Sequence, residues 1–407
     1  MDIKSFKFKT FIKLFLASII LGIIGGSIGA AFSLIIGFVT DLRISYPWIL
    51  CFLPVGGILI ILIYKKLNIS GQGTNTVLDF ANNKDGLSPL LTLGVFGASI
   101  ISHLFGASVG REGAALQLGG GFAVAISKFF GFDKTYSGIL IRVGMAAVFS
   151  AVFGTPLAAF IFVLEVVCVG TLHLKSALFS LLSSYVAFFI SQSLGAHPER
   201  FSLSVVPEFS FDIAWKIAVL TVLTAFLSIG FCYALRYSAF LAKKLINNPY
   251  SRIIIGGAAI LGLTILIGNQ DYNGAGINVI DRIFHGNSDP ASISFSPLGF
   301  ALKLLFTCIS VGFGFKGGEI VPTLFVGATF GAFLATIFGL SVPFGAALGM
   351  VLLFCGVTNC PLASIALGFE LFSGVGFWYF IPTVLICFII SGKISLYTAQ
   401  EHKYKYL

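Results

Sequence analysis

Ile320 to Phe369 reads IVPTLFVGATFGAFLATIFGLSVPFGAALGMVLLFCGVTNCPLASIALGF, fifty residues without one charged side chain. A helix needs roughly 20 apolar residues to cross a bilayer, so this stretch alone has room for two crossings. Eight further uncharged stretches of 18 or more residues are spread along the 407-residue chain. Hydrophobic residues make up 57% of the sequence and charged residues 10%, against about 25% charged in a soluble protein. So few charges cannot cover a water-soluble body of this size. Long apolar runs in place of period-2 alternation exclude a β-barrel. The fold class is therefore an all-α polytopic membrane protein, with residues 1–407 forming a single transmembrane domain.

The charges that remain are informative by position. Lys4, Lys7, Lys9 and Lys13 precede the first apolar run, and Lys243, Lys244 and Arg252 fill one loop. By the positive-inside rule these faces are cytoplasmic, and their charges answer to anionic lipid. No basic patch interleaved with aromatics points to nucleic acid. Leu14 to Thr40 is 27 residues without a charge, too long for the core of a cleavable signal, and reads as a retained helix.

The seven cysteines form no Cys-x-x-Cys pair and read as small buried hydrophobes. The five histidines have no metal spacing, so neither a metal nor a cofactor is expected. His103 interrupts an apolar stretch, where it hydrogen-bonds a neighbouring helix or lines a polar cavity. No His-Glu-x-x-His, paired-Asp or Gly-x-Ser-x-Gly pattern supports an enzyme.

Three motifs occur twice, in one order. Gly71-Gln72-Gly73-Thr74-Asn75 recurs as Gly274-Ala275-Gly276-Ile277-Asn278. Gly110-Arg111-Glu112 recurs as Gly317-Gly318-Glu319, 207 residues on. Pro156-Leu157-Ala158-Ala159, with Glu165 nine residues past the proline, recurs as Pro361-Leu362-Ala363-Ser364 with Glu370 at the same spacing. The chain divides into repeat one, about 11–205, and repeat two, about 206–400. Two related halves in a membrane create a site at their interface, built from broken helices. Gly71, Gly73, Gly110, Gly113, Gly317 and Gly318 mark the breaks. Helices starting there aim free N–H groups at one another, which makes an anion site without buried lysines. Gly119, Gly120 and Gly121 read instead as helix-packing glycines.

Four acids attach to the repeated motifs. Glu112 lies between two uncharged stretches, where an ionisable group is functional by default. A carboxylate at a helix N-terminus competes with a transported anion and vacates the site when protonated. Arg111 beside it has the plainer reading of a salt bridge or anchor. Glu319 reads as a helix cap or a partner of Lys316. Glu165 and Glu370 read as serving a shared packing or hydrogen-bonding role in both halves, with a proton relay as the alternative for either.

Gly110-Arg111-Glu112-Gly113 together with Gly317-Gly318-Glu319-Ile320-Val321-Pro322 resembles the CLC chloride channel and transporter family. The resemblance includes the Gly-x-Gly segment at Gly71, the Pro-Leu-Ala helix at Pro156, and Gly392-Lys393-Ile394-Ser395-Leu396-Tyr397, expected in the last helix. It implies a CLC-type fold of two inverted-topology repeats of broken and tilted helices, a homodimer with one pore per subunit, and a multi-pass protein of the bacterial plasma membrane. It implies that Glu112 is the gating and proton-coupling glutamate. The anion would be held at Gly71, Gln72, Gly73, Gly110, Arg111, Gly113, the backbone of Ile320 and Val321, and the Tyr397 hydroxyl. Partners implied are a halide, protons and the lipid bilayer.

Departures from the family pattern carry further meaning. The anion-coordinating serine is replaced by Gln72, and the internal proton-transfer glutamate expected one position after Glu165 is Val166. Both changes, with the segment around His103, are similar to the fluoride-exporting branch. A proton-coupled exchange of chloride or fluoride is the expected activity, with a passive channel as the alternative favoured by Val166. No soluble C-terminal regulatory domain is expected, and Glu401 to Leu407 reads as a solvated end.

Overall fold

The computed structural model describes residues 8–82, 84, 86–171, 173–203, 205–285 and 295–403. Lys4 and Lys7, and the last four residues of the tail, lie outside them. Sixteen α-helices run through the described residues. The first eight are α1 (Phe8–Ser45), α2 (Leu53–Lys66), α3 (Thr74–Ala81), α4 (Leu91–Phe105), α5 (Glu112–Phe129), α6 (Lys134–Phe153), α7 (Pro156–Val167) and α8 (Leu174–Ser193). The second eight are α9 (Phe211–Leu245), α10 (Pro249–Ile267), α11 (Ile277–His285), α12 (Gly299–Phe313), α13 (Ile320–Phe338), α14 (Val342–Thr358), α15 (Pro361–Leu371) and α16 (Phe377–Ser391). Seven helical segments among the described residues are long and apolar enough to span a membrane. Shorter apolar helices such as α7, α12 and α15 reach only part of the way.

Helix for helix, the two runs of eight match in order and approximate length. The helices after the first repeated glycines start at Thr74 and Ile277, and those after the second at Glu112 and Ile320. The residues before Pro156 and Pro361, Thr155 and Cys360, share one backbone conformation, φ −124° and ψ 79°. Charge gives the two runs opposite senses. Lys9 and Lys13 lie at the start of α1, whereas Lys243 and Lys244 lie in the last turn of α9. With both basic ends on the cytoplasmic face, α1 runs outward and α9 runs inward.

Small residues set how closely the central helices pack. A Cβ on Gly119 would collide with the Gly144 carbonyl, and Gly327 and Gly331 meet the Gly349 and Gly345 carbonyls in the same way. These contacts lock α5 onto α6 and α13 onto α14, as small-residue packing does in bilayers. Gly120 and Gly121 abut Val77 and Thr92, so the Gly119–Gly121 run is a packing feature.

Glu165 and Glu370 are joined crosswise. The Glu165 carboxylate accepts hydrogen bonds from the Leu362 and Ala363 N–H groups at 3.1 and 2.8 Å. Glu370 accepts from Leu157 and Ala158 at 2.9 and 2.8 Å. Each acid therefore caps the N-terminus of the other half's Pro-Leu-Ala helix. The proline at the first helical position has no N–H, so the two N–H groups after it are the ones left for the partner acid.

Three sequence expectations change. Tyr397 is not on a helix, because α16 ends at Ser391 and Gly392, at φ +62°, begins an irregular segment. The tail is not merely solvated, since Glu401–His402 pairs in parallel with Cys168–Val169. Cys51 is exposed, unlike the other six cysteines, which are buried, and all seven are free thiols.

Replacing Glu165 or Glu370 by Ala leaves two N–H groups without acceptors, and each variant should lose about 1–3 kcal/mol of stability. A thermal melt of purified protein in detergent reads this directly. An unchanged midpoint in both variants would remove the crossed carboxylates from any structural role.

Candidate functional site

The two broken segments meet as backbone. Gly110 N–H donates to the Gly318 carbonyl and Gly318 N–H donates to the Gly110 carbonyl, each at 2.6 Å, forming an isolated antiparallel bridge. The approach leaves no room for side chains. A Cβ on Gly113 would lie 2.7 Å from the Gly318 Cα, and one on Gly318 would strike the Gly113 nitrogen. From this bridge α5 and α13 depart, so the first-turn N–H groups of two helices converge on one region.

The bridge corrects the repeat register. The starts of α5 and α13 differ by 208 residues, so Glu112 corresponds to Ile320 and Arg111 to Glu319. The two acids are not symmetry mates. Glu112 is the first residue of α5, while Glu319 occupies the residue before α13 and its side chain makes no capping bond.

A cavity of about 350 Å³ lies on one side of the bridge. Gly71, Gln72, Gly73, Gln117, Glu319 and Tyr397 line it, with Arg236 and Lys316 also at its wall. Its place next to the segment following the Lys65–Lys66 end of α2 puts it on the cytoplasmic side. Gly71 adopts φ +85°, a left-handed conformation that favours glycine, and this turn delivers Gly73 to the start of α3. The Gln72 Oε1 accepts from the Ser88 N–H at 3.1 Å. Its oxygen is thereby committed, and its Nε2 donors remain for the cavity. The Tyr397 hydroxyl is buried and has no hydrogen-bond partner among the described residues.

Glu319 departs from its expected role. Its Oε2 is buried without a hydrogen-bond partner, and no ion pair to Lys316 forms among the described residues. Lys316 instead points at the ring of Tyr64, 4.9 Å from its centroid. The Glu319 carboxylate leans toward α5, so that a Cβ on Gly113 would lie 3.2 Å from Oε2.

Glu112 lies outside the 350 Å³ cavity. Its side chain is fully buried and folds back over the bridge, with Oε2 3.2 Å from the Arg111 N–H and Oε1 3.2 Å from Arg111 Nε. Arg111 also pairs with Glu199, so the expected salt bridge is present and doubly occupied. Glu112 borders a void of about 10 Å³, room for one water at most, shared with Glu199 and Val321. Ile320 and Val321 are buried in the first turn of α13. The structure therefore gathers Gly71, Gln72, Gly73 and Tyr397 on one side of the bridge. Arg111 and Glu112 lie on the other, and Gly110 and Gly113 stand at the crossing.

The His103 ring bonds within its own helix, Nδ1 donating to the Ser99 carbonyl at 2.8 Å, while its backbone carbonyl accepts from Arg43 Nη1 of α1 at 3.3 Å and the residue borders a cavity. Glu199, Gln117 and Arg236 escaped sequence reading. Glu199 stands in a charged loop pair with Arg200, and nothing in that pair signals contact with Arg111. No group of His, Cys, Asp and Glu able to hold a metal occurs among the described residues.

Comparison with known proteins gives concordant results. The family model described as voltage gated chloride channel matches residues 56–392. A chloride/fluoride channel protein from Pseudomonas syringae pv. tomato is 30% identical over 392 residues, covering 94% of this chain and 85% of that protein. The crystal structure of a CLC-type fluoride/proton antiporter superposes with a TM-score of 0.92 at 30% identity, covering 98% of this chain and 100% of the other. A slow cyanobacterial Cl−/H+ antiporter shares the fold at a TM-score of 0.78 and 20% identity, over 95% of this chain and 96% of its own.

An Ala at Gly318 or Gly113 forces the bridge apart and should destabilise the protein by about 1–3 kcal/mol. An Ala at Gly37 or Gly230, where nothing lies within 4 Å of a new Cβ, should be neutral. Monodisperse yield on size-exclusion chromatography separates the two classes, and equal yields would contradict the close approach.

Proposed function

The chain belongs to the voltage-gated chloride channel (CLC) family, and on that premise we propose that it exchanges a small halide for protons across the bacterial plasma membrane. The observation that carries this reading is the arrangement around the glycine bridge. A cavity with Gln72 and Tyr397 donors lies on one side, and a buried carboxylate at a helix N-terminus lies on the other. A halide approaching from the cytoplasm meets the Gln72 amide, the Tyr397 hydroxyl and the N–H groups at the start of α13. Beyond it, Glu112 occupies the region that an anion would need at the start of α5. Protonation removes the charge of Glu112 and weakens its bonds to Arg111, freeing the helix end for the halide. One event admits the anion and loads the proton.

Proton coupling needs a carboxylate on the inner side. Val166 cannot serve, and both oxygens of Glu165 are committed to the N–H groups of α15. Glu319 has an unpartnered oxygen, borders the inner cavity and approaches Gly113, next to Glu112 in the chain. It is the acid best placed to pass a proton between the cavity and Glu112. This supports exchange over a passive channel, the second reading, which rests on Val166 alone.

Fluoride is the first candidate ion and chloride the second. Fluoride is smaller and accepts hydrogen bonds more strongly, and Gln72 offers two N–H donors where a serine offers one hydroxyl. The relatives named for fluoride point the same way. The working unit is a homodimer, as the family resemblance implies, and its mass in detergent tests that.

Two measurements in liposomes check the assignment. Glu112→Gln should pass halide while moving no protons, and a variant that still couples the two would refute the gating role. Tyr397→Phe removes one charge-assisted donor and should weaken halide affinity about tenfold. Unaltered affinity would place the anion elsewhere.

A further inference from the structure

A second cavity, about 370 Å³, lies at the opposite face from the inner one, in a cleft between the end of α1 and the start of α11. Arg43, His103, Arg111 and the Gly276–Val279 segment border it. Nothing in the exchange mechanism above uses this cleft.

Its charge is unbalanced. Arg43 is 2% exposed and Lys303 fully buried, and neither has a carboxylate partner among the described residues. They flank the glycine turn before α11. Lys303 Nζ donates to the carbonyls of Tyr272 and Gly274 at 3.1 and 2.7 Å. A Cβ on Gly274 would lie 3.0 Å from an Arg43 guanidinium nitrogen. Arg111 adds a charge that Glu112 and Glu199 already answer. Of the acids at the rim, Asp271 is paired with Arg282 at 2.7 Å and Asp41 stands on the exposed face of α1. Lys303 is answered by those two carbonyls, but a buried guanidinium without a counter-ion is costly, and an anion in the adjoining cavity offsets that cost for Arg43.

A donor is also left over. Arg43 Nε is buried without a hydrogen-bond partner among the described residues, whereas His103 donates through Nδ1 to the Ser99 carbonyl, which leaves its Nε2 an acceptor. The nine-residue helix α11 starts at the cleft, so the N–H groups of its first turn face it without helical acceptors. This turn is the second-repeat counterpart of Gly71–Asn75, which lines the inner cavity.

We propose that this outer cleft binds a small monovalent anion, held by Arg43 and the first-turn N–H groups of Ile277 and Asn278. The site extends the reading of the chain as a halide exchanger by giving the ion a resting place on the far side of Glu112. An anion there also pulls on Arg111, the residue that holds Glu112 back.

Anomalous diffraction from crystals soaked in sodium bromide tests the site in the unaltered protein. The expected result is a bromide peak beside Arg43 in addition to one beside Tyr397. An empty cleft with the Tyr397 peak present overturns the proposal and leaves the exchange reading intact. A cleft peak without the Tyr397 peak supports this site and counts against the inner one. A lipid phosphate in the cleft that bromide does not displace also overturns it. In liposome flux, Arg43→Gln should raise the apparent KM for halide supplied from the outer face about tenfold and leave the inner-face value unchanged. Arg43→Lys, which keeps the charge, should recover part of the loss. Equal shifts at both faces would make Arg43 a structural residue and sink the assignment.

Discussion

Two glycines hydrogen-bonded to each other at the middle of the molecule set everything else. The reciprocal 2.6 Å bonds between Gly110 and Gly318 satisfy backbone that has left its helices. Unwound backbone at membrane depth survives only where protein or a wet cavity meets its needs. Pairing the two breaks meets that need with no lipid-exposed polar group. It also fixes where α5 and α13 begin, and so where their free N–H groups point. A side chain at Gly113 or Gly318 is excluded by contact, so the motif's composition follows from the geometry of the meeting.

The bridge also divides the interior electrically. On the cytoplasmic side, donors from Gln72 and Tyr397 share a cavity with Arg236, Lys316 and the acid Glu319. On the far side, Glu112, Arg111 and Glu199 form a chain of alternating charge that leads from a buried carboxylate to a partly exposed one. A carboxylate tied to the arginine beside it can be released by a proton, whereas a permanent counter-charge cannot. The crossed caps of Glu165 and Glu370 brace the same frame at a distance. Each binds one half of the molecule to the other through two N–H groups.

Much of this was legible in the chain before any coordinates. Ile320–Phe369 declared a membrane interior, and the repeated Gly motifs located both breaks. The nine-residue spacing from Pro to Glu announced a shared role for Glu165 and Glu370, though not that each acid reaches into the other half. At the central motif the letters set a register that differs by one residue from the backbone. Gly-Arg-Glu aligns by letters with Gly-Gly-Glu, but helices begin where backbone geometry allows, and that pairs Glu112 with Ile320. The family resemblance places Tyr397 in the last helix, while the turn at Gly392 depends on a positive φ that the motif's letters do not encode. Glu199 and Arg43 were illegible for a plainer reason. Arg43 is one charge near the end of α1 and Glu199 one acid in the loop between α8 and α9, and only tertiary packing brings them to the outer cleft and to Arg111.

The central claim is that anion and proton share one path past Glu112. Unaltered protein in liposomes loaded with fluoride or chloride, with external pH recorded under a clamped voltage, tests it most directly. The account predicts that halide running out down its gradient drives protons inward against theirs, with a reversal potential displaced from that of the halide alone. A reversal potential equal to the halide's own equilibrium potential, with external pH unmoved while halide runs out, would contradict it.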